Sequence, residues 1–228
     1  MHTDFLLDRF RENARQEAII WRDRSYSYGW LVERIDNWAN ELIKESVEPG
    51  TVISIESDFS PNAIALLLAL AAQGCIVVPL TLSVEMKQPE FRRIAEVELI
   101  IKVDDQDDVQ FDSTGVRATH RFLRELKERR HPGLILFSSG STGKNKASIH
   151  DLVPLLAKFK VRRHSKRCIA FLLFDHIGGI NTLFYNLSNA GCVVTLEDRS
   201  PDNVCAAIAK HKVQILPTSP TCINLLLL

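Results

Sequence analysis

The chain has 228 residues, 46% of them hydrophobic, and its 28 basic and 28 acidic side chains give a formal net charge of zero. That length suits one large domain or two small ones, and the composition is ordinary for a globular protein. Zero net charge gives no global pull toward nucleic acid or an anionic membrane, no apolar run approaches the roughly 20 residues of a membrane helix, and the polar, charged start lacks the apolar core of a secretory signal.

From the amino terminus, Leu6, Leu7, Phe10 and Ala14 are spaced for a short amphipathic helix over Leu6–Gln16. Ala18–Trp21 reads as a strand, Arg22–Ser25 as its turn, and Tyr26 as the start of a partner strand. Leu31, Ile35, Trp38, Ala39, Leu42 and Ile43 fall on one face of a helix over Tyr28–Glu45. Pro49 and Gly50 mark a turn before a strand over Thr51–Ser57. Ser60 is a natural N-cap and Pro61 a natural first residue for a helix running to Gln73. That helix is apolar nearly all round, which predicts burial, and Gly74 ends it.

Cys75–Leu80 is a β-branched strand, Met86–Glu96 a helix with Pro89 near its start, and Leu99–Val103 a strand. Asp104–Asp108 is a solvated acidic loop and Thr119–Arg130 a charged surface helix. Later come a return strand over Ala147–His150, a helix from Asp151 through Phe159, and a basic stretch over Lys158–Arg167 that suits a solvated helix end. A strand over Cys168–Phe174, a helix over Ile177–Ala190 and a strand over Cys192–Glu197 follow. Ser200 caps a helix over Pro201–His211, Val213–Leu216 is a strand, and Pro220 starts another helix. Cys75, Cys168, Cys192, Cys205 and Cys222 stand far apart with no Cys-x-x-Cys pair. They read as free thiols in a reducing compartment, the cytoplasm, with neither disulfides nor zinc.

The stretch between the two regions concentrates the chemistry. Leu134–Phe137 is a short apolar strand, Ser138–Gly143 contains only Ser, Gly and Thr, and Lys144 and Lys146 follow. Such a loop after a strand offers free amides, hydroxyls and positive charge to a phosphate, while its glycines let the backbone come close. A plain Ser/Gly-rich surface turn is the competing reading. The stretch is not a Walker loop, which needs Gly at Ser138 and Ser or Thr at Asn145. It is not a nucleophile elbow centred on Ser141, which needs Gly at Ser139.

Strands alternate with helices from about residue 51 onward. This predicts an α/β fold, a layered α/β/α arrangement with a largely parallel sheet, whose ligands bind beyond the carboxyl ends of the strands. Two lobes are expected, 1–165 ending with the Ser/Gly loop, and 166–228 as the start of a second. Ile223–Leu228 is apolar and uncapped, so the chain reads as the N-terminal piece of something longer.

Phe137 through Lys146 resembles the phosphate-loop signature of the adenylate-forming family, which comprises acyl-CoA synthetases, luciferases and peptide-synthetase adenylation domains. That signature reads Thr-Ser-Gly-Ser/Thr-Thr-Gly-x-Pro-Lys-Gly. Ser139, Gly140, Ser141, Thr142, Gly143 and Lys146 match it, while Asn145 stands for the Pro and Ala147 for the last Gly. Other segments resemble the family in the same order. They are Glu17–Leu31, the Pro49-Gly50 turn, Ala69–Leu80, the His-x-x-Gly-like run from Asp175 to Gly179, and Leu216–Thr221.

The resemblance implies an AMP-forming ligase. It would activate a carboxylic acid with ATP and Mg2+ to an acyl-adenylate, then pass the acyl group to a thiol of coenzyme A or a carrier protein. It implies that Ser139, Gly140, Ser141, Thr142, Gly143, Lys144 and Lys146 hold the ATP phosphates, and that His176, Gly178 and Gly179 border the acyl pocket. Asp175 is expected to cap the helix after it. The family's aromatic-Gly-x-Thr-Glu segment, ribose-binding Asp and catalytic Lys would lie beyond residue 228, so no catalytic residue and no metal ligand is expected here. The partners implied are the acid and the C-terminal remainder of the same protein, with no nucleic acid or membrane span, and a homo-oligomer is compatible. Two other readings compete: a naturally short, inactive relative acting as a binding module, and an unrelated phosphate-binding protein.

Overall fold

The computed structural model describes residues 2–139, 145–220 and 223–224. It opens with α1 (Asp4–Glu12), a hairpin of β1 (Glu17–Trp21) and β2 (Arg24–Ser27), and α2 (Tyr28–Lys44). Then come β3 (Val52–Glu56), α3 (Pro61–Gln73), β4 (Ile76–Leu80), a 3-10 turn over Leu82–Lys87, α4 (Gln88–Ala95), β5 (Leu99–Val103) and β6 (Val109–Ser113). The chain continues through α5 (Arg121–Arg129), β7 (Gly133–Ser139), β8 (Asn145–Asp151) and α6 (Leu152–Ala157). It closes with β9 (Arg167–Ile169), α7 (Ile177–Ser188), β10 (Cys192–Val194) and α8 (Pro201–His211).

The strands form two sheets. Six lie in the order β6-β5-β3-β4-β7-β8, with β5, β3, β4 and β7 parallel and the edge strands β6 and β8 antiparallel to their neighbours. Four lie in the order β2-β1-β10-β9, with β1, β10 and β9 parallel and β2 antiparallel. The first sheet is drawn wholly from residues 52–151. The second joins β9 and β10 to β1 and β2 from the opening of the chain, pairing Ile19 with Val193.

Side-chain alternation along the strands assigns the layers. Ile53, Ile55, Val77, Ile101, Val103, Leu134 and Leu136 pack toward α2 and α3, whereas Val52, Ile76, Val78, Ile100 and Ile135 pack toward Phe91 of α4 and Leu123 and Leu126 of α5. In the second sheet Ile19 and Val193 share the core of α1, α2, α3 and α7, while Ile20, Ile169 and Val194 face Val204 of α8. The expected α/β/α layering therefore occurs twice, with the central helices shared between two sheets.

α3 is the hinge of this packing. Ser60 Oγ accepts from Ala63 N–H at 3.1 Å, Pro61 occupies the first turn, and Gly74 ends the helix at φ 83°, in the left-handed region. Every residue from Pro61 to Ala71 is buried, as its apolar circumference predicts.

Several elements differ from the sequence expectation. The strands expected over Cys168–Phe174 and Cys192–Glu197 shorten to the three-residue β9 and β10. β6 was not expected; it is an edge strand directly after the acidic loop, and only Val109 and Phe111 of it pack inward. The segment Val213–Leu216 contributes one bridge, Ile215 to Cys168, instead of a strand. Helix formation after Leu82 is a 3-10 turn first, and the α-helix starts at Gln88 so that Pro89 falls in its first turn.

Candidate functional site

The hairpin of β7 and β8 carries the Ser/Gly loop. Only Gly133 and Leu134 of β7 pair with β4; from there β7 pairs with β8 alone, up to Ser138 opposite Lys146 and Ser139 opposite Asn145. β7 thus parts from β4 after Val77, the second residue of that strand, and the hairpin runs on in the direction of the strands' carboxyl ends. Gly140, Ser141, Thr142, Gly143 and Lys144 lie outside the described residues. Lys146 is exposed on β8.

The base of the hairpin is held by α4. Phe137 stacks on Phe91 with ring centroids 4.0 Å apart and an interplanar angle of 2°. Asn145 Nδ2 donates to Glu90 Oε2 at 3.1 Å, so the Asn found where the family signature has Pro ties the loop's exit to the helix.

The same first turn of α4 leads to the other half of the site. Gln88 Nε2 donates to the carbonyl of Thr81 at 3.2 Å. Thr81, at the carboxyl end of β4, binds Asp175 Oδ2 twice, from its hydroxyl at 2.8 Å and its N–H at 3.3 Å. The Thr81 hydroxyl also lies 2.7 Å from Ser83 Oγ. Asp175 is 7% exposed, and its Oδ1 is buried with no hydrogen-bond partner among the described residues. His176 Nε2 stands 3.9 Å from that oxygen, and the imidazole is 62% exposed.

Asp175 is therefore not the helix cap expected of it. The N-cap position of α7 belongs to His176, which makes no side-chain cap bond, and the Asp175 carboxylate is spent on Thr81, 94 residues away.

Gly178 and Gly179 lie in the first turn of α7. A Cβ on Gly179 would lie 2.0 Å from the carbonyl oxygen of Leu173, so the helix presses directly on the strand-to-helix connection there. Gly179 also lines a narrow void between α7 and the Cys168–Leu172 segment.

A second bridge joins the carboxyl ends of the two sheets. Arg199 grips Asp58 in a bidentate pair at 2.9 and 3.1 Å and donates from Nε to the carbonyl of Phe171 at 2.6 Å. A cleft of about 510 Å³ opens beside it, with Ser57, Ser60, Thr81 and Ser83 on its wall.

The partnerships of Thr81, Gln88, Glu90 and Arg199 have no local sequence signal. Asp175, Asn145 and Asp58 come from distant parts of the chain, and Gln88 reaches back across the 3-10 turn to Thr81. Among the described residues no group of three or more His, Cys, Asp or Glu side chains could hold a metal ion, and no helix is long and apolar enough to cross a membrane.

Comparison with known proteins places this arrangement. The sequence model of the family described as AMP-binding enzyme matches residues 7–228. Pyochelin synthetase PchE of Pseudomonas aeruginosa is 25% identical over 252 residues, which cover 100% of this chain and 17% of that protein. Acetyl-coenzyme A synthetase of Shewanella halifaxensis is 24% identical over 285 residues, covering 97% of this chain and 44% of that protein. The chain thus spans less than half the length of either relative. The N-terminal subdomain of NpsA from Klebsiella oxytoca, solved with 3-hydroxyanthranilyl-AMSN, shares the fold with a TM-score of 0.76 at 19% identity. That match covers 93% of this chain and 59% of the subdomain. The chain belongs to the AMP-binding, adenylate-forming enzyme family and corresponds to its N-terminal portion.

Proposed function

We propose that this chain is the ATP- and acid-holding part of an AMP-forming ligase. In the first half-reaction a carboxylate oxygen of the acid attacks the α-phosphorus of ATP, the bond to pyrophosphate breaks, and an acyl-adenylate forms. In the second, a thiol of coenzyme A or a carrier protein attacks the acyl carbon and AMP leaves. Ser139, Ser141, Thr142, the amides of Gly140 and Gly143, and the ammonium groups of Lys144 and Lys146 would surround the phosphates. Charge neutralisation and alignment of two reactants are the main demands of this chemistry. Mg2+ would arrive with the triphosphate. His176 would border the carboxyl end of the acid, with Gly178 and Gly179 behind it.

The observation that carries this reading is the bonded path from Asn145 through Glu90, Gln88 and Thr81 to Asp175. It holds the loop side and the acid side in one frame. The reading places this work in the cytoplasm, where thiols stay reduced. Both relatives are more than twice as long as this chain, which supports the further reading that these residues alone give negligible turnover.

ATP titrated into the wild-type protein, Lys146→Ala and Thr142→Ala tests the loop. Weaker binding by both variants is expected, and equal affinity in all three rejects phosphate binding there. A pyrophosphate-release assay on the 228 residues tests the rest, and clear turnover would refute the expected inactivity.

A further inference from the structure

Asp175 is a buried carboxylate with half of its bonding capacity unused. Its Oδ2 takes both the Thr81 hydroxyl at 2.8 Å and the Thr81 N–H at 3.3 Å. Its Oδ1 is buried with no hydrogen-bond partner among the described residues. A buried acceptor left unpaired is costly, and most so when it is charged. The backbone around it is fixed. Phe174 is fully buried, with its ring edge-on to Phe59 at 5.0 Å. The His176 N–H donates to the Leu173 carbonyl at 3.2 Å, and Gly179 packs against that same carbonyl.

One side-chain donor stands beside Oδ1. His176 Nε2 is 3.9 Å away, about 1 Å beyond a charge-assisted hydrogen bond. The imidazole is 62% exposed and makes no cap bond with α7, so rotation about its own side-chain bonds closes that gap without moving the backbone. The carboxylate does not turn to meet it, because Thr81 holds the other oxygen.

We infer that Asp175 is the positioning residue for His176: its Oδ1 accepts from Nε2–H and thereby fixes which ring nitrogen faces the acid. This rests on the proposed placing of His176 at the carboxyl end of the acid. Asp175 itself touches no reactant. With Nε2 given to Asp175, the ring keeps Nδ1 for the ligand. A carboxylate offers acceptors only, so the ring that meets it donates from both nitrogens, and the Asp175 charge behind it balances the imidazolium.

Asp175→Asn tests this at little structural cost. The Thr81 N–H needs an oxygen to accept it, so the Asn carbonyl faces Thr81 and the Asn NH2 faces His176. The ring nitrogen beside it then changes from donor to acceptor, and the imidazole is driven to the Nδ1–H tautomer. Long-range 1H–15N NMR of the 228-residue chain reads the tautomer at about pH 8, where imidazole is neutral. His176 should be Nε2–H in the wild type and Nδ1–H in Asp175→Asn. Nε2–H in both, as when a water pairs Oδ1, overturns the inference.

ATP–pyrophosphate exchange by the full-length protein supplies the second arm, with acetate, benzoate or decanoate as the acid, whichever turns over fastest. Asp175→Asn should raise KM for the acid about tenfold, the loss of one charge-assisted contact, and change kcat less. In a His176→Ala background the same substitution should change KM by less than about twofold, because its effect runs through the ring. Equal losses in both backgrounds would make Asp175 purely structural and overturn the inference. Thr81→Val, which loosens the carboxylate without removing it, gives the same cycle if Asp175→Asn fails to fold. The tautomer change with no exchange on any of the three acids would keep the pair and count against the adenylation reading. Exchange unmoved by Asp175→Asn, with no tautomer change, would do the reverse.

Discussion

Replacing Thr81 with Val tests the bridge between the two sheets at its narrowest point. Val fills the same volume, so no cavity is made, and the backbone N–H to Asp175 and the carbonyl to Gln88 remain. What is lost is the 2.8 Å bond from the hydroxyl to a carboxylate that is 7% exposed, together with the hydroxyl's 2.7 Å contact with Ser83 Oγ. Hydrogen bonds to charged groups contribute about 1.5–3 kcal/mol. The loss should fall near the top of that range, because Asp175 Oδ1 already has no partner among the described residues and Oδ2 would keep only the 3.3 Å amide. For a chain of this size each kcal/mol moves Tm by about 2–4 °C, so a fall of about 6–12 °C is expected by circular dichroism. Thr81→Ser keeps the hydroxyl and should recover most of it. Under the proposed reaction the KM for the acid should rise, while ATP affinity stays within about twofold because the Gln88 and Glu90 bonds are untouched. An unchanged Tm in Thr81→Val, or equal losses in the Val and Ser variants, would refute the reasoning.

Gly179→Ala should destabilise by about 1–3 kcal/mol, the usual range for overpacking, because its Cβ would meet the Leu173 carbonyl at 2.0 Å; urea unfolding measures it. Glu56 lies at the carboxyl end of β3, where burial raises its pKa against the opposing pull of Arg92 and Lys102. A raised carboxyl favours the folded state below its unfolded pKa and loses that contribution as pH rises through the folded value. The stability difference between wild type and Glu56→Gln should therefore move in favour of the wild type between neutral pH and about pH 4.5, and a flat difference in urea unfolding contradicts this. Burial pushes the Cys75 and Cys168 thiols up to about 12 and Cys192 up to about 11, while Cys205 is exposed on α8. Iodoacetamide on the native protein should label Cys205 and leave those three intact until urea unfolds the chain, as read by peptide mass mapping.

What could be read from the sequence was what local chemistry dictates. Ser60, Pro61 and Gly74 bracket α3, and its unbroken apolar run announced its burial. The Ser/Gly run between an apolar strand and two lysines was legible for the same reason, since strand, glycines and charge are contiguous. What escaped depends on distant partners. β1 looks like half of an isolated hairpin until Val193 pairs beside Ile19, and Val109–Ser113 becomes a strand only because β5 offers it an edge. Asp175 followed a reliable local rule for a helix cap, and lost to a hydroxyl 94 residues away.

That reversal matters for how the site is built. The hairpin loop belongs to the first sheet and His176 follows the second, and the helices between the sheets are apolar packing with little directional preference. Packing of that kind fixes a distance between layers better than it fixes a rotation. The directional bonds at the carboxyl ends supply the rest: Arg199 to Asp58, Thr81 to Asp175, and the α4 side chains Gln88 and Glu90 that reach Thr81 and Asn145. A reaction that needs a phosphorus atom and a carboxylate oxygen in contact is sensitive to errors of about 1 Å. Under the proposed reaction the registration of the two reactants would rest on a few polar side chains outside the signature loop, and the loop would grip phosphate without setting its aim.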